Sequence, residues 1–395
     1  MKIAFYTNFI NHHQVPVADE LFKLTKGDFY FIETIKIPES FIKNGYPDFS
    51  SRPYLIQTWM SEENRNKADE ICKNADVVIF ASSGISFKYG VLRAKTGKLA
   101  FEVGERWLKQ GLKNLLSPHL IKNLWYYHTL FRNKPIYKLC SSAFAANDQY
   151  LMHSYIDKCF KWGYFPTLSD SRKLENRNIT FDNKNVYQIM WCARFLDWKH
   201  PELPIKVAAL LKNKGYHFII NMYGSGIEEE KSKLLAKELC VEDVVKFCGN
   251  LPNSEILNTM FNHDIFLFTS DRNEGWGAVL NEAMSNNCAV VASNKIGAVP
   301  FLIENGENGY IFNSNDLNSL EEKLIFLFEN PSEIKRIANN AYRTINEIWS
   351  PNNAAKNLIL LCEDLLFGGK GDIIANGPCS IAKPIKKALC QNFYR

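Results

Sequence analysis

Short runs of β-branched and aromatic residues alternate along this chain with longer segments of helical periodicity, and this alternation constrains the fold more than any other feature. Strands separated by helices pair in parallel, because each crossover returns the chain to the same end of the sheet. In the first half, the pattern predicts strands at 2–7, 28–33, 76–82, 98–103 and 139–145. It stops at a polar stretch, 169–184, and restarts with strands at 186–192, 217–223, 244–247, 264–269 and 289–293. The sequence therefore predicts an α/β chain of two doubly wound Rossmann-like units joined by a polar linker.

The length of the chain agrees with this division, since 395 residues at roughly 150 per domain give two or three domains. We place one domain at 1–169, a second at 170–350, and a C-terminal helix and tail at 351–395 that pack back toward the first. Ser350 is a suitable N-cap, and Pro351 follows at the first helical position. Further helices are expected at 202–213, 227–240, 253–261, 277–286, 317–329 and 332–348.

Composition excludes several classes of protein. A formal net charge of +5 over 395 residues is too small to indicate a nucleic-acid-binding protein. No apolar run approaches the roughly 18 residues that a membrane span needs, and the chain turns polar at Asn8, unlike a signal peptide. The ten cysteines are scattered without C-x-x-C spacing, which favours reduced thiols over zinc ligands or disulfides. We therefore expect a cytoplasmic chain.

The segment from Thr269 to Glu282 carries the clearest chemistry, because a strand ends, a glycine-bearing turn follows and a helix begins. Ligands of open α/β sheets bind at the carboxyl ends of strands, and amides at a helix start suit an anion. Gly275 and Gly277 let the backbone approach such a ligand closely. On a helix, Glu274 and Glu282 would lie about 12 Å apart, too far for a glycosidase pair. We assign Glu274 to sugar hydroxyls and Glu282 to a ribose diol; a solvated helix residue is the alternative for Glu282.

These residues, with the following Ala283-Met284 and Ile296-Gly-Ala-Val-Pro300, resemble glycosyltransferase family four. That family comprises nucleotide-sugar transferases of GT-B fold, in which two Rossmann-like domains face each other across a cleft. The resemblance implies that Glu274 contacts the donor sugar and that Glu282 binds the nucleotide ribose. It also implies that backbone amides near Trp276 and Gly277 face the sugar hydroxyls.

A second block, Ala193-Arg194-Phe-Leu-Asp-Trp-Lys199-His200, is similar to the family's G-R-L-x3-K-G motif. The resemblance implies that Arg194 and Lys199 clamp the donor diphosphate, where fixed cations would stabilise the charge of the leaving group. Ala193 and His200 stand where the family has glycines. Outside this family context, Arg194 and Lys199 would more often be surface charges than ligand contacts.

Two weaker matches follow the next two strands. Gly224, in Tyr223-Gly-Ser-Gly226, resembles the family's glycine turn, and Phe247, in Phe247-Cys-Gly249, resembles the turn that lines the base pocket. The first match lacks the third glycine of a dinucleotide fingerprint, and no G-x4-G-K-[ST] motif occurs. The sequence therefore does not favour an NAD-binding protein or a P-loop protein.

The N-terminal half carries fewer signals. His12 and His13 follow the first strand, where family members have a glycine-rich loop, and we expect this polar loop to line the acceptor side of the cleft, with an ordinary turn as the alternative. Adjacent histidines without further ligands at a recognisable spacing do not indicate a metal site. Glu105 and Arg106 follow another strand and are also cleft candidates, with a structural salt bridge as the alternative. His119 and His128 are candidates for a reaction-centre histidine by position alone.

A basic and aromatic stretch lies at 106–138, with seven Lys or Arg residues and no Asp or Glu. Basic amphipathic helices bind anionic lipid, and acceptors in the resembled family are often lipid-linked. We therefore expect peripheral contact with the inner face of a membrane, the alternative being helices with a buried aromatic face and solvated charges.

Together these features predict a retaining, metal-independent and cofactor-free glycosyltransferase. It would move a sugar from a UDP- or GDP-sugar to a glycan or lipid-linked acceptor in polysaccharide or glycoconjugate synthesis, all by resemblance to the family. Two alternatives remain: a GT-B sugar-nucleotide epimerase, and a non-catalytic relative that binds nucleotide sugars.

Overall fold

A computed structural model describes residues 1–39, 46–82, 84–168 and 186–385. The chain forms two compact units: unit 1 comprises Met1–Thr167 together with the segment from Ile348 onward, and unit 2 comprises Leu168–Glu347. The predicted linker at 169–184 and the predicted boundary at 169/170 lie outside the described residues.

Unit 1 is built on a parallel sheet with strand order β3-β2-β1-β4-β5-β6-β7. Its central strands are buried along their length, which is why they read as continuous apolar runs in the sequence. The strands are β1 Ile3–Thr7, β2 Phe29–Glu33, β3 Leu55–Gln57, β4 Val77–Ala81, β5 Ala100–Gly104, β6 Ile136–Cys140 and β7 Cys159–Lys161. The helices between them are α1 Val15–Leu24, α2 Glu62–Asn74, α3 Phe87–Thr96, α4 Pro118–Tyr126 and α5 Ala145–Leu151.

Unit 2 is also a parallel sheet, with order β10-β9-β8-β11-β12-β13. The order reverses between β8 and β11, so the crevice at their carboxyl ends is the expected ligand site. The strands are β8 Tyr187–Cys192, β9 Phe218–Tyr223, β10 Val245–Gly249, β11 Ile265–Phe268, β12 Ala289–Ser293 and β13 Tyr310–Phe312. The helices are α6 Glu202–Asn213, α7 Glu229–Glu238, α8 Asn253–Phe261, α9 Ala278–Ser285, α10 Val299–Leu302, α11 Leu317–Glu329 and α12 Pro331–Arg343.

The C-terminal segment belongs to unit 1. Helix α13, Pro351–Leu366, begins at the predicted N-cap, where the Ser350 hydroxyl accepts a hydrogen bond from the Asn353 amide at 3.2 Å. This helix packs against α1. The chain then pairs with β7, where Phe160 and Ile381 form an antiparallel bridge and the Lys161 amide donates to the Ser380 carbonyl at 2.7 Å.

The sequence predicted most elements of both sheets, with one strand misplaced and three missed. The strand expected at 139–145 is wrong: β6 ends at Cys140, and Ala145 begins α5. Ala143 lies in the turn between them and Ala145 on the helix, and both are buried; periodicity alone cannot distinguish such a buried segment from a buried strand. The missed strands β3, β7 and β13 have only three residues each, too few for a detectable pattern.

The structure shows the state of the cysteines and the length and apolar character of the helices, about which the composition gave expectations. The cysteines that the structure describes are all unpaired thiols. Among the described residues, no helix combines the length and the apolar character needed to cross a membrane.

Candidate active site

A cleft of about 330 Å³ opens in unit 2 at the reversal point between β8 and β11. Its walls come from the turns after β8, β9 and β10, from the loop after β11 and from the start of α9. They combine two cations, one carboxylate and helix-start amides, in an arrangement suited to an anionic ligand with hydroxyl groups. The polar and charged residues among those that line it are Cys192, Arg194, Lys199, Tyr223, Asn250 and Glu274.

Backbone hydrogen bonds join the turns after β8 and β9. The Ala193 amide donates to the Tyr223 carbonyl at 3.1 Å, and the Phe195 amide donates to the Ser225 carbonyl at 2.9 Å. Gly224 has φ +125°, and a Cβ there would lie 1.9 Å from the Ala193 carbonyl oxygen. Only glycine fits this approach, so Gly224 shapes the cleft wall through its backbone.

Lys199 lies at the end of a short helical turn, Asp197–Lys199, and is buried. Its ammonium group forms an ion pair with the Glu274 carboxylate and lies 4.3 Å from the centre of the Trp198 ring. The Lys199 carbonyl accepts a hydrogen bond from the Thr269 hydroxyl at 2.6 Å. The first cation of the predicted clamp is thus held against the predicted sugar-binding carboxylate.

Arg194, the second cation of the predicted clamp, is exposed at the edge of the same cleft. It forms no ion pair with any residue in the described part of unit 2. Its guanidinium group is therefore available to a ligand.

The turn before α9 is fixed by its own backbone. Gly277 is the N-cap with φ +92°, and a Cβ there would lie 2.7 Å from the Phe268 ring. The Trp276 side chain is buried and donates to the Asn281 side chain at 2.9 Å, while Gly275 is buried beside it. Gly277 lines the cleft together with the first residues of α9, whose amides lack partners within the helix.

Four predicted donor-site residues are not among the described residues that line this cleft: Gly275 and Trp276 of the turn before α9, and Glu282 and Phe247. Glu282 lies one turn into α9 and is buried. Burial raises the pKa of its carboxyl to about 7, although a hydrogen bond with Asn253 lowers that pKa. Phe247 is half-buried and packs against the core of unit 2, 6.0 Å from the Phe195 ring.

In unit 1, three predicted residues gather around a fourth that the sequence analysis did not select, Tyr164. The His13 ring stacks on the Tyr164 ring at 5.9 Å, and the His12 ring lies 3.7 Å from the His13 ring. The Tyr164 hydroxyl donates to the Glu105 carboxylate at 2.9 Å. Burial, with His12 nearby, lowers the pKa of His13 to about 3, so its imidazole is neutral at ordinary pH. Tyr164 follows the three-residue strand β7, so no sequence signal marked it.

Arg106 does not join this group. Its side chain is buried and pairs with Asp148 at 3.2 Å, which is the structural salt bridge left open as an alternative. A second buried pair joins Lys138 to Glu102 at 2.7 Å, and Tyr155 donates to the same carboxylate at 2.5 Å. The predicted reaction-centre candidates His119 and His128 lie exposed on the surface of unit 1.

The two sheets, the strand order and the position of the cleft define a chain of the GT-B class, as the sequence predicted. HepE from Anabaena, solved in complex with UDP, matches with a TM-score of 0.65 over 91% of this chain and 99% of HepE. The sequence identity is 16%, so this structural similarity supports only the assignment of the fold.

Residues 172–344 match the family described as Glycosyl transferases group 1. The chain is 29% identical over 142 residues to the putative colanic acid biosynthesis glycosyltransferase WcaL of Escherichia coli, 35% of each chain. It is 24% identical over 341 residues to an uncharacterized glycosyltransferase of Methanocaldococcus jannaschii, 81% of this chain and 84% of the relative. The alignments with WcaL and two other relatives span less than half the length of those proteins.

Proposed function

We propose that this chain is a retaining, metal-independent glycosyltransferase that moves a sugar from a UDP- or GDP-sugar to a glycan or lipid-linked acceptor. The proposal is carried by one observation: Arg194, Lys199, Glu274 and the start of α9 line a single cleft in unit 2. WcaL is named for colanic acid biosynthesis, which supports a role in the synthesis of a surface polysaccharide.

The cleft suits the leaving group of such a reaction. When the bond between the sugar and the diphosphate breaks, its electron pair moves to the phosphate oxygen, and the diphosphate gains charge. In the proposal, Arg194, Lys199 and the α9 amides stabilise that charge, because fixed donors in a partly dry site need little reorganisation. The departing phosphate oxygen takes the proton of the attacking acceptor hydroxyl on the same face, which retains the anomeric configuration.

We assign the remaining donor contacts by position. Glu274 accepts hydrogen bonds from sugar hydroxyls, and the buried Glu282 accepts them from the ribose diol. Gly275, Trp276 and Gly277 contribute backbone amides toward the sugar. Gly224 and Phe247 shape the side that holds the base, Gly224 through its backbone and Phe247 through its packing.

We assign the acceptor to unit 1. The cluster of His12, His13, Tyr164 and Glu105 combines aromatic faces with a carboxylate, and sugars bind to such surfaces through stacking and hydroxyl hydrogen bonds. Because both imidazoles have a pKa lowered by burial, they are neutral and can accept a hydrogen bond from an acceptor hydroxyl.

A thermal-shift screen with UDP, GDP, ADP and their sugars tests the donor assignment. We expect stabilisation by UDP or GDP, and we expect Arg194→Ala and Lys199→Ala to lose most of that shift. Lys237→Ala is the matched control, since Lys237 is an exposed lysine on α7 of the same unit. An unchanged shift in both cleft variants contradicts the clamp assignment.

Product analysis tests the reaction itself. We expect an α-linked product from an α-linked donor, seen by NMR, with undiminished rate in a chelator. Isomerised free donor without acceptor would favour the epimerase, and nucleotide binding without hydrolysis or transfer would favour the non-catalytic relative.

We also propose that unit 1 contacts an anionic membrane through 106–138. Large apolar side chains are exposed there, with Leu116 83% and Trp125 59% accessible, and Lys113 and Lys122 lie exposed among them. Apolar groups that enter the lipid next to lysines that attract anionic headgroups are typical of peripheral helices. The other exposed apolar residues in this stretch are Leu112, Leu115 and Ile121.

Vesicle flotation with and without acidic lipid tests this contact. We expect binding that needs acidic lipid and that is lost in the double variant Leu116→Ser, Trp125→Ser. Phe367→Ser is the control, because Phe367 is 90% exposed elsewhere in unit 1. Equal flotation of the double variant and the wild type contradicts the proposal.

A further inference from the structure

His200 has an unusual backbone for its residue type. It follows the buried Lys199 directly and has φ +51° and ψ 56°, in the left-handed region. The resembled family has glycine here, and a side chain in this region is strained because its Cβ crowds the backbone. Backbone strain at a ligand site persists when the surrounding contacts compensate for it. The contacts of the His200 side chain are therefore informative.

The His200 imidazole lies between two carboxylates from different parts of unit 2. Its Nδ1 atom is 2.9 Å from the Glu202 carboxylate at the start of α6. Its Nε2 atom is 3.6 Å from the Asp271 carboxylate, in the loop after β11. The imidazole thus connects the turn that carries Lys199 to the loop that carries Glu274.

Asp271 is tied to both sides of this connection. Its amide donates to the Trp198 carbonyl at 3.0 Å, and its carbonyl accepts from the Glu274 amide at 3.1 Å. Its carboxylate accepts from the Asn273 amide at 2.7 Å. Any shift of Asp271 would therefore move Glu274 relative to Lys199.

The charge of His200 follows from its surroundings. Burial lowers its pKa, but the carboxylates of Asp271 and Glu202 outweigh burial and raise the pKa to about 9. The imidazole is therefore protonated at neutral pH. The charged groups on the elements around it are Asp197 and Lys199 on its own turn, Glu202, Lys206 and Lys212 on α6, and Asp271, Arg272 and Glu274 on the loop after β11.

We propose that His200 is a positioning residue that fastens the Lys199 turn to the Glu274 loop through its two ion pairs, and so raises the affinity of the cleft for a nucleoside diphosphate. This inference rests on the proposed function, because it concerns the same cleft. Glycine at position 200 would suit the backbone better but would free both carboxylates. In this chain, position 200 has the less favourable backbone conformation, and the His200 side chain holds the Lys199 turn and the Glu274 loop in a fixed geometry.

The fastening depends on pH in a defined direction. The folded pKa of about 9 lies above the value of 6.5 for an ordinary histidine. The stabilising contribution is therefore complete below about pH 6.5 and is lost as the pH rises through about 9. At high pH the wild type should come to resemble a variant that lacks the imidazole.

The test compares His200→Gly and His200→Asn with the wild type by calorimetric titration with UDP and GDP. At pH 7 we expect both variants to bind the preferred nucleotide about five- to tenfold more weakly, and at pH 10 we expect the difference to disappear. Asn315→Gly is the control for backbone relief, because Asn315 is an exposed left-handed residue of the same unit with φ +61°. Wild-type affinity in both His200 variants at pH 7 overturns the inference.

Hydrogen exchange and an NMR titration of the histidine ring separate this inference from the proposed function. We expect faster amide exchange at 269–277 in both His200 variants, and a ring titration midpoint near 9 in the wild type. If no nucleoside diphosphate binds the wild type, the proposed function fails while these two measurements still decide the fastening. Unchanged exchange, or a midpoint at the ordinary value of 6.5, overturns it.

Discussion

The two units differ in where their charged side chains lie. In unit 1, Lys138 pairs with Glu102 and Arg106 pairs with Asp148, and all four side chains are at most 1% exposed. In unit 2, the cations of the candidate site border a cleft, and Arg194 is exposed. Each buried cation of unit 1 faces a carboxylate of the same unit, whereas the exposed Arg194 retains capacity for a ligand.

This difference shows why similar sequence signals have different meanings. Arg106 and Arg194 both come soon after a parallel strand, the position where functional residues concentrate. The buried Asp148 carboxylate meets Arg106, and no described acid meets Arg194. The functional value of a strand-end cation thus depends on whether a distant part of the chain supplies its counter-charge.

The largest expected effect comes from breaking a buried pair. Lys138→Met leaves Glu102 buried without its cation, and we expect the free energy of unfolding to fall by about 3–5 kcal/mol, measured by calorimetry. Lys199→Met should cost about 1–2 kcal/mol, because Glu274 borders the cleft, yet it should abolish the nucleotide-induced shift. Equal losses of stability in the two variants would contradict the comparison. Lys237→Met, at an exposed site, is the control.

A smaller effect is expected at the joined turns of unit 2. Gly224→Ala places a Cβ 1.9 Å from a carbonyl oxygen, and we expect a loss of about 3 kcal/mol together with weaker nucleotide binding. Gly249→Ala is matched, since Gly249 also has positive φ but open space around it, and should cost only about 1 kcal/mol. Chemical unfolding of both variants gives the comparison. Similar losses of stability in the two variants would mean that the close approach of Gly224 to the Ala193 carbonyl oxygen does not determine the conformation of the turn.

The smallest effect concerns the buried carboxyl of unit 2. The pKa of Glu282 is about 7 in the folded chain, above the ordinary 4.5, so the folded state binds more protons between these values and loses stability as the pH rises. We expect Glu282→Gln to be more stable than the wild type by about 2 kcal/mol near pH 8, with a smaller gain near pH 5. It should also bind UDP or GDP more weakly. Parallel stability profiles of the two proteins between these pH values would refute this assignment.

The sequence indicated the residues that line the cleft of unit 2 more completely than the cluster around Tyr164 in unit 1, for a physical reason. The residues around Glu274 act through a turn and a helix start, which are local features that glycines and spacing make visible. The turns after β8 and β9 join through backbone contacts that demand Gly224, and this requirement also leaves a mark in the sequence.

The cluster around Tyr164 forms through contacts that no local sequence pattern encodes. Tyr164 meets His13 and Glu105 only because three distant segments end at the same edge of the unit 1 sheet. The partners of Arg106 and Lys138 are likewise 42 and 36 residues away. His200 is a further example. The sequence shows that it stands where the resembled family has glycine, but it does not indicate that Glu202 and Asp271 are its partners.

The return of the C-terminal segment to unit 1 has a consequence for biosynthesis. Unit 2 is continuous in the chain, whereas unit 1 needs α13 against α1 and the pairing of Ile381 with Phe160 to be complete. A ribosome must therefore release the chain through Ile381 before the sheet of unit 1 acquires these contacts. All of unit 2 is synthesised before that point, so unit 2 can fold while unit 1 is still incomplete.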